Sequence, residues 1–128
     1  MNKNLLINNL LLGFLSWLIP FGMSFLYYSP DGELVVPYAT FKTEIMLIGI
    51  ISGCYLLYIY FKNVKANYLI NGLIVGFSWF FINIIMDVLV LIPIMKVTFL
   101  NYFWSIGMGY FTIPILGITI GFLLKSKQ

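Results

Sequence analysis

Four long, continuous apolar runs dominate this sequence. They extend from about Leu5 to Tyr28, Thr43 to Phe61, Tyr68 to Met95 and Tyr102 to Leu124, with short polar segments between them. Each meets or exceeds the ~20 residues a helix needs to cross a hydrocarbon core about 30 Å thick. A spanning strand would alternate apolar and polar residues over about 10 positions, and these runs do not alternate. The pattern predicts an all-α polytopic membrane protein, a four-transmembrane-helix bundle forming one domain over residues 1–128.

Composition narrows the function classes. Hydrophobic residues make up 62% of the chain and charged ones 9%, and the mean hydropathy is +1.01. Soluble domains carry about a quarter charged residues, so this chain cannot cover a surface facing water. That excludes a soluble enzyme, a disordered chain and a nucleic-acid binder, and makes the lipid bilayer the first partner. The net charge of +3 comes from lysines spread along the chain, not from the clustered cations that bind anionic lipid or nucleic acid. With no His and a single cysteine, Cys54, the chain offers no internal disulfide, no CxxC relay and no His/Cys metal site. No cofactor and no enzymatic activity are expected.

The first run exceeds the 7–15 apolar residues of a secretory signal and ends in the bulky Ser24-Phe25-Leu26-Tyr27-Tyr28 rather than a cleavable small-x-small site. It is expected to stay as a helix. Lys3, Lys62, Lys65, Lys125 and Lys127 then share one side, against Lys42 and Lys96 with Asp31, Glu33 and Glu44 on the other. The positive-inside bias puts both termini on the cytoplasmic side of a plasma or inner membrane. Tyr27, Tyr28, Tyr38, Tyr102 and Trp104 would mark the outer boundary, and Tyr58, Tyr60 and Tyr68 the inner one. The outer connection, Ser29 to Phe41, opens on Ser-Pro-Asp-Gly, which suits a type I turn. Its apolar Leu34–Tyr38 stretch is expected to lie back on the membrane surface.

Spans one and three resemble each other. Ile7-Asn8-Asn9-Leu10-Leu11-Leu12-Gly13-Phe14 aligns with Ile70-Asn71-Gly72-Leu73-Ile74-Val75-Gly76-Phe77, and Ser16-Trp17 with Ser78-Trp79. This suggests a duplicated helical hairpin, a parallel repeat. Three GxxxG pairs, Gly49/Gly53, Gly72/Gly76 and Gly117/Gly121, are candidates for helix packing. In lipid, close backbone approach replaces much of the hydrophobic drive. Such faces also suit a homo-oligomer or a larger membrane partner.

Asp87 carries the sharpest signal. It lies within Ile84-Ile85-Met86-Asp87-Val88-Leu89-Val90, and its nearest charge, Lys96, is over ~13 Å away along a straight helix. An ionised Asp at the centre of a spanning helix costs about 2.5–3.5 kcal/mol on insertion scales. Gly72, Gly76, Trp79, Asn83 and Asp87 follow helical spacing, so they share one face that should point into the bundle. Two readings stay open. Asp87 is a structural pin bonded to Tyr102, Ser105, Tyr110 or Ser24, or it is an ion- or proton-binding carboxylate on a polar path with Asn83 and Glu44. Pro20 and Pro114 predict bends near the middles of their spans. Trp17 and Trp79 sit deep, so their indole N–H groups need internal acceptors. Two functions follow: a small oligomeric transporter or channel using an intramembrane carboxylate, or an accessory membrane subunit without transport activity of its own.

Overall fold

In the computed structural model, which describes residues 3–127, the four apolar runs become an all-α four-helix bundle. Helix α1 (Lys3–Ser24) ends in a tight 3₁₀ turn, Phe25–Tyr27, and α2 covers Tyr38–Lys62. Helix α3 (Tyr68–Met86) continues through a π-helical turn, Asp87–Leu91, into α4 (Ile92–Met95). A short α5 (Phe99–Ser105) and a 3₁₀ turn, Gly107–Phe111, lead into α6 (Thr112–Ser126). Four stretches are long and apolar enough to cross a membrane: Lys3–Tyr27, Tyr38–Lys62, Tyr68–Met95 and Gly107–Ser126. Their outward faces carry apolar side chains such as Leu11, Ile51 and Phe122, each more than half exposed.

Local chemistry explains where the helices depart from the apolar runs. Pro37, in extended backbone at ψ 145°, stands directly before α2. The helix therefore begins at Tyr38 rather than near Thr43, and absorbs Lys42 and Glu44. Ahead of it the Ser29–Gly32 turn closes with the Gly32 N–H donating to the Ser29 carbonyl at 2.9 Å. Gly32 holds φ +84°, a conformation that suits glycine. The fourth run is split at Ile106 (φ −125°, ψ −50°), so Phe99–Ser105 forms a helix of its own, capped by Thr98 Oγ1 accepting from the Asn101 N–H at 3.2 Å. Pro114 consequently falls in the first turn of α6, where a missing N–H leaves no helical bond unmade. The bend expected there is replaced by a helix start. Helix α1 runs through Pro20, which removes the helical donor of the Ser16 carbonyl.

Helix direction can be read from the contacts. The bonds Trp79–Asn9 and Trp17–Asp87 both join residues 70 positions apart, so α1 and α3 run in the same direction. Helices α3 and α6 run in opposite directions, with Gly72 against Gly117 and Gly121, and Gly76 against Pro114. Helix α1 packs on both α2 and α3, α3 packs most extensively on α6, and α2 meets α6 only lightly. At the end near Lys62 the interior is filled by Leu12, Leu56, Leu57, Tyr60, Val75 and Trp79. At the opposite end, beneath the connection from α1 to α2, the helices stand apart around a cavity.

Candidate functional site

Asp87 lies at the start of the π-helical turn. There the Ile92 N–H reaches back five residues to the Asp87 carbonyl instead of four. Pro93, at the start of α4, supplies a reason: a proline ring clashes with the carbonyl four residues upstream, and a widened turn relieves the crowding. Asp87 is 1% exposed, and three donors converge on it. The Trp17 indole N–H donates to Oδ1 at 2.7 Å, the Tyr110 hydroxyl to Oδ2 at 2.6 Å, and the Tyr102 hydroxyl also to Oδ2. All three are neutral donors, and their geometry suits solvating a negative charge without a cation.

Each partner is positioned by its own element. Trp17 comes from α1 and stacks on Phe21, with ring centroids 4.6 Å apart. Tyr102 comes from α5 and is fully buried. Helix α5 stands between the third and fourth spans, and the Tyr102 hydroxyl reaches inward to Asp87. Tyr110 belongs to the 3₁₀ turn before α6. Gly107 permits that close approach, since a Cβ there would stand 2.9 Å from the Phe103 ring and 3.3 Å from Ile84 Cδ1.

One turn down α3, Asn83 is fully buried. Its Nδ2 donates to Ser16 Oγ at 2.9 Å and to the Trp79 carbonyl at 2.8 Å. The Ser16 hydroxyl donates in turn to the Gly13 carbonyl at 2.6 Å. These two acceptors fix the amide orientation, because a flip would set Oδ1 against the Trp79 carbonyl. Asn83 Oδ1 is thereby left as the one buried side-chain polar atom without a hydrogen-bond partner among the described residues.

Asp87 and Asn83 both line the cavity, about 820 Å³ in volume. It extends from Gly53 and Ile113 at mid-bundle up to the Tyr28–Gly32 turn, with Trp17, Phe21, Phe41 and Tyr110 among its walls. Lys42, at the connection end, is the only other charged residue in the lining among the described residues. The volume falls in the range of about 300–1,000 Å³ usual for small-molecule sites, and an apolar wall with a few convergent polar groups is their usual chemistry.

The remaining sequence candidates fall elsewhere. Glu44 is exposed and accepts from the Tyr27 hydroxyl at 2.6 Å; it does not join Asp87 and does not line the cavity. Gly72, Gly76, Gly117 and Gly121 form the seam between α3 and α6, where an added Cβ would press on backbone atoms of the facing helix. Gly49 and Gly53 line the cavity instead. A Cβ at Gly53 would meet nothing within 4 Å, and one at Gly49 only Pro20 Cγ at 3.8 Å. Ser24 and Ser105 bond carbonyls of their own helices, Phe21 at 2.5 Å and Asn101 at 2.8 Å, and leave Asp87 to the tyrosines. Trp79 donates to the Asn9 carbonyl and Asn9 Oδ1, both at 2.9 Å. Sequence reasoning passed over Ser16 and Asn9. Both are short polar residues facing deep partners on α3, and their spacing of seven along α1 was the available signal.

No protein-family model, curated protein or solved structure matches the chain.

Proposed function

We propose that this small integral membrane protein is a transporter that binds a cation or proton at Asp87 and moves it across the bilayer. One observation carries the reading: a carboxylate in the apolar interior borders a cavity of ligand size while holding only neutral partners. A charge in that position is costly, and a cationic solute would supply the opposite charge that the protein does not. Asn83 belongs to the same polar path. Glu44 does not, because its carboxylate is engaged by Tyr27 outside the cavity lining. The lysine distribution supports cytoplasmic termini, so that the cavity would lie in the outer half of the membrane.

A second reading, an accessory subunit in which Asp87 only joins helices, is favoured by the three bonds tying α1, α5 and the turn before α6 to one side chain. Flux in proteoliposomes separates the two. Cation- or proton-dependent flux by wild type, lost in a folded Asp87→Asn variant, is the expected result. No flux from either protein leaves the accessory reading.

A further inference from the structure

The cavity is too large and too apolar for a proton alone. No group of three or more His, Cys, Asp or Glu side chains that could hold a bare metal cation occurs among the described residues. The cavity offers one carboxylate, one unpartnered amide oxygen, several aromatic faces and a few hydroxyls such as those of Ser16, Tyr110 and Thr112. We propose that its ligand is a protonated organic amine of drug-like size, with the ammonium N–H groups shared between Asp87 and Asn83 Oδ1, and an apolar body against the aromatic wall. The inference rests on the cavity reading above and names its substrate class.

Acceptor capacity supports the head-group assignment. A carboxylate has about four lone-pair sites. Asp87 has three occupied, two on Oδ2 and one on Oδ1, which leaves Oδ1 able to accept one more donor. Asn83 Oδ1, four residues earlier on the same helix face, has no donor at all. Asn83 is fully buried and its Oδ1 presents no surface to the cavity, so a ligand N–H must part the wall to reach it; a buried acceptor left bare is costly, and satisfying it favours that opening. A quaternary ammonium has the charge but no N–H to give. The surrounding Trp17, Phe21 and Tyr110 rings favour a cation over a neutral head group. Lys42 at the connection end repels a cation there, so the charge gradient orients the ligand with its ammonium at Asp87 and its body toward Phe41 and Tyr28.

The test is equilibrium binding to the purified full-length protein in lipid nanodiscs. The probes are a primary phenylalkylamine, its N,N,N-trimethyl quaternary salt and the corresponding neutral alcohol. The amine is expected to bind saturably and most tightly of the three. Asp87→Asn should weaken it by about tenfold or more, and Asn83→Leu should cost the amine more than the quaternary salt. If Asp87→Asn does not fold, Gly53→Leu serves in its place, because its side chain enters open space at the mid-bundle end of the cavity and takes up room there; binding should then be weakened in a folded protein. Equal affinity for amine and alcohol, or undiminished amine binding by folded Gly53→Leu, overturns the assignment. Amine binding without flux sustains it while refuting transport. Asp87-dependent proton flux without amine binding refutes the ligand class and leaves transport standing.

Discussion

Replacing Gly72 by alanine places one methyl group in the tightest contact of the bundle. The new Cβ would overlap the Gly117 carbonyl oxygen and lie 3.2 Å from Gly117 C and 3.3 Å from Gly121 Cα. These are backbone atoms of a facing helix, so no side chain can rotate away. Non-bonded heavy atoms settle at about 3.5–4.0 Å, and a gap of 0.5–1 Å forfeits roughly a quarter to a half of the attraction between them. Helices α3 and α6 must part by about that much along the seam, and overpacking of this kind costs about 1–3 kcal/mol. Gly53→Ala is the matched control. It gives the same gain in helix propensity but meets nothing within 4 Å, so the difference between the variants isolates the clash. Reversible unfolding in bicelles, followed by circular dichroism, should place Gly72→Ala about 1–3 kcal/mol below Gly53→Ala. Equal stabilities would show that α3 and α6 do not meet at this seam.

Other expectations follow from single contacts. Trp79→Phe removes the donor shared by the Asn9 carbonyl and Asn9 Oδ1 and opens a void, so it should lower stability in the same unfolding assay by about 1–3 kcal/mol. Glu44→Gln alters an exposed pair with Tyr27; it should change stability by less than about 0.5 kcal/mol and leave flux at the wild-type level. Single cysteines introduced at Lys65 and at Asp31, in a Cys54→Ser background, should react with an impermeant thiol reagent from opposite sides of the membrane, Lys65→Cys from the cytoplasmic side. Labelling of both from one side would refute the topology.

Much of this architecture was legible because in a membrane the solvent itself is apolar. Continuous runs must then be helices, and a polar residue within one must face protein. Thus Gly72, Gly76, Trp79, Asn83 and Asp87, placed on one face by spacing alone, are all buried. The need of Trp17 and Trp79 for acceptors was equally plain, since neither indole lies near a membrane edge. Their partners could not be read, because Asp87 and Asn9 are joined to them only by the register of α1 on α3. Tyr102 was readable both as a boundary residue and as a partner of Asp87, and its hydroxyl does reach Asp87; what leaves little trace in hydropathy is the break at Ile106 that sets α5 apart. The cavity was hidden for a further reason. Its walls come from α1, α2, the π-helical turn and the turn before α6, and concavity is a property of their arrangement rather than of any one segment. The same arrangement separates two glycine pairs of identical spacing, one pressed into a seam and the other, Gly49 and Gly53, facing open space.

The central claim is that the protein carries across the bilayer a solute whose charge is met by Asp87 in this cavity. The most direct measurement is uptake of the primary phenylalkylamine into proteoliposomes reconstituted with equal amounts of folded wild-type, Asp87→Asn or Gly53→Leu protein. The expected result is saturable uptake by wild type, its loss in Asp87→Asn and its reduction in Gly53→Leu. Uptake that persists at the wild-type rate in either variant, or its absence from all three, would contradict the claim.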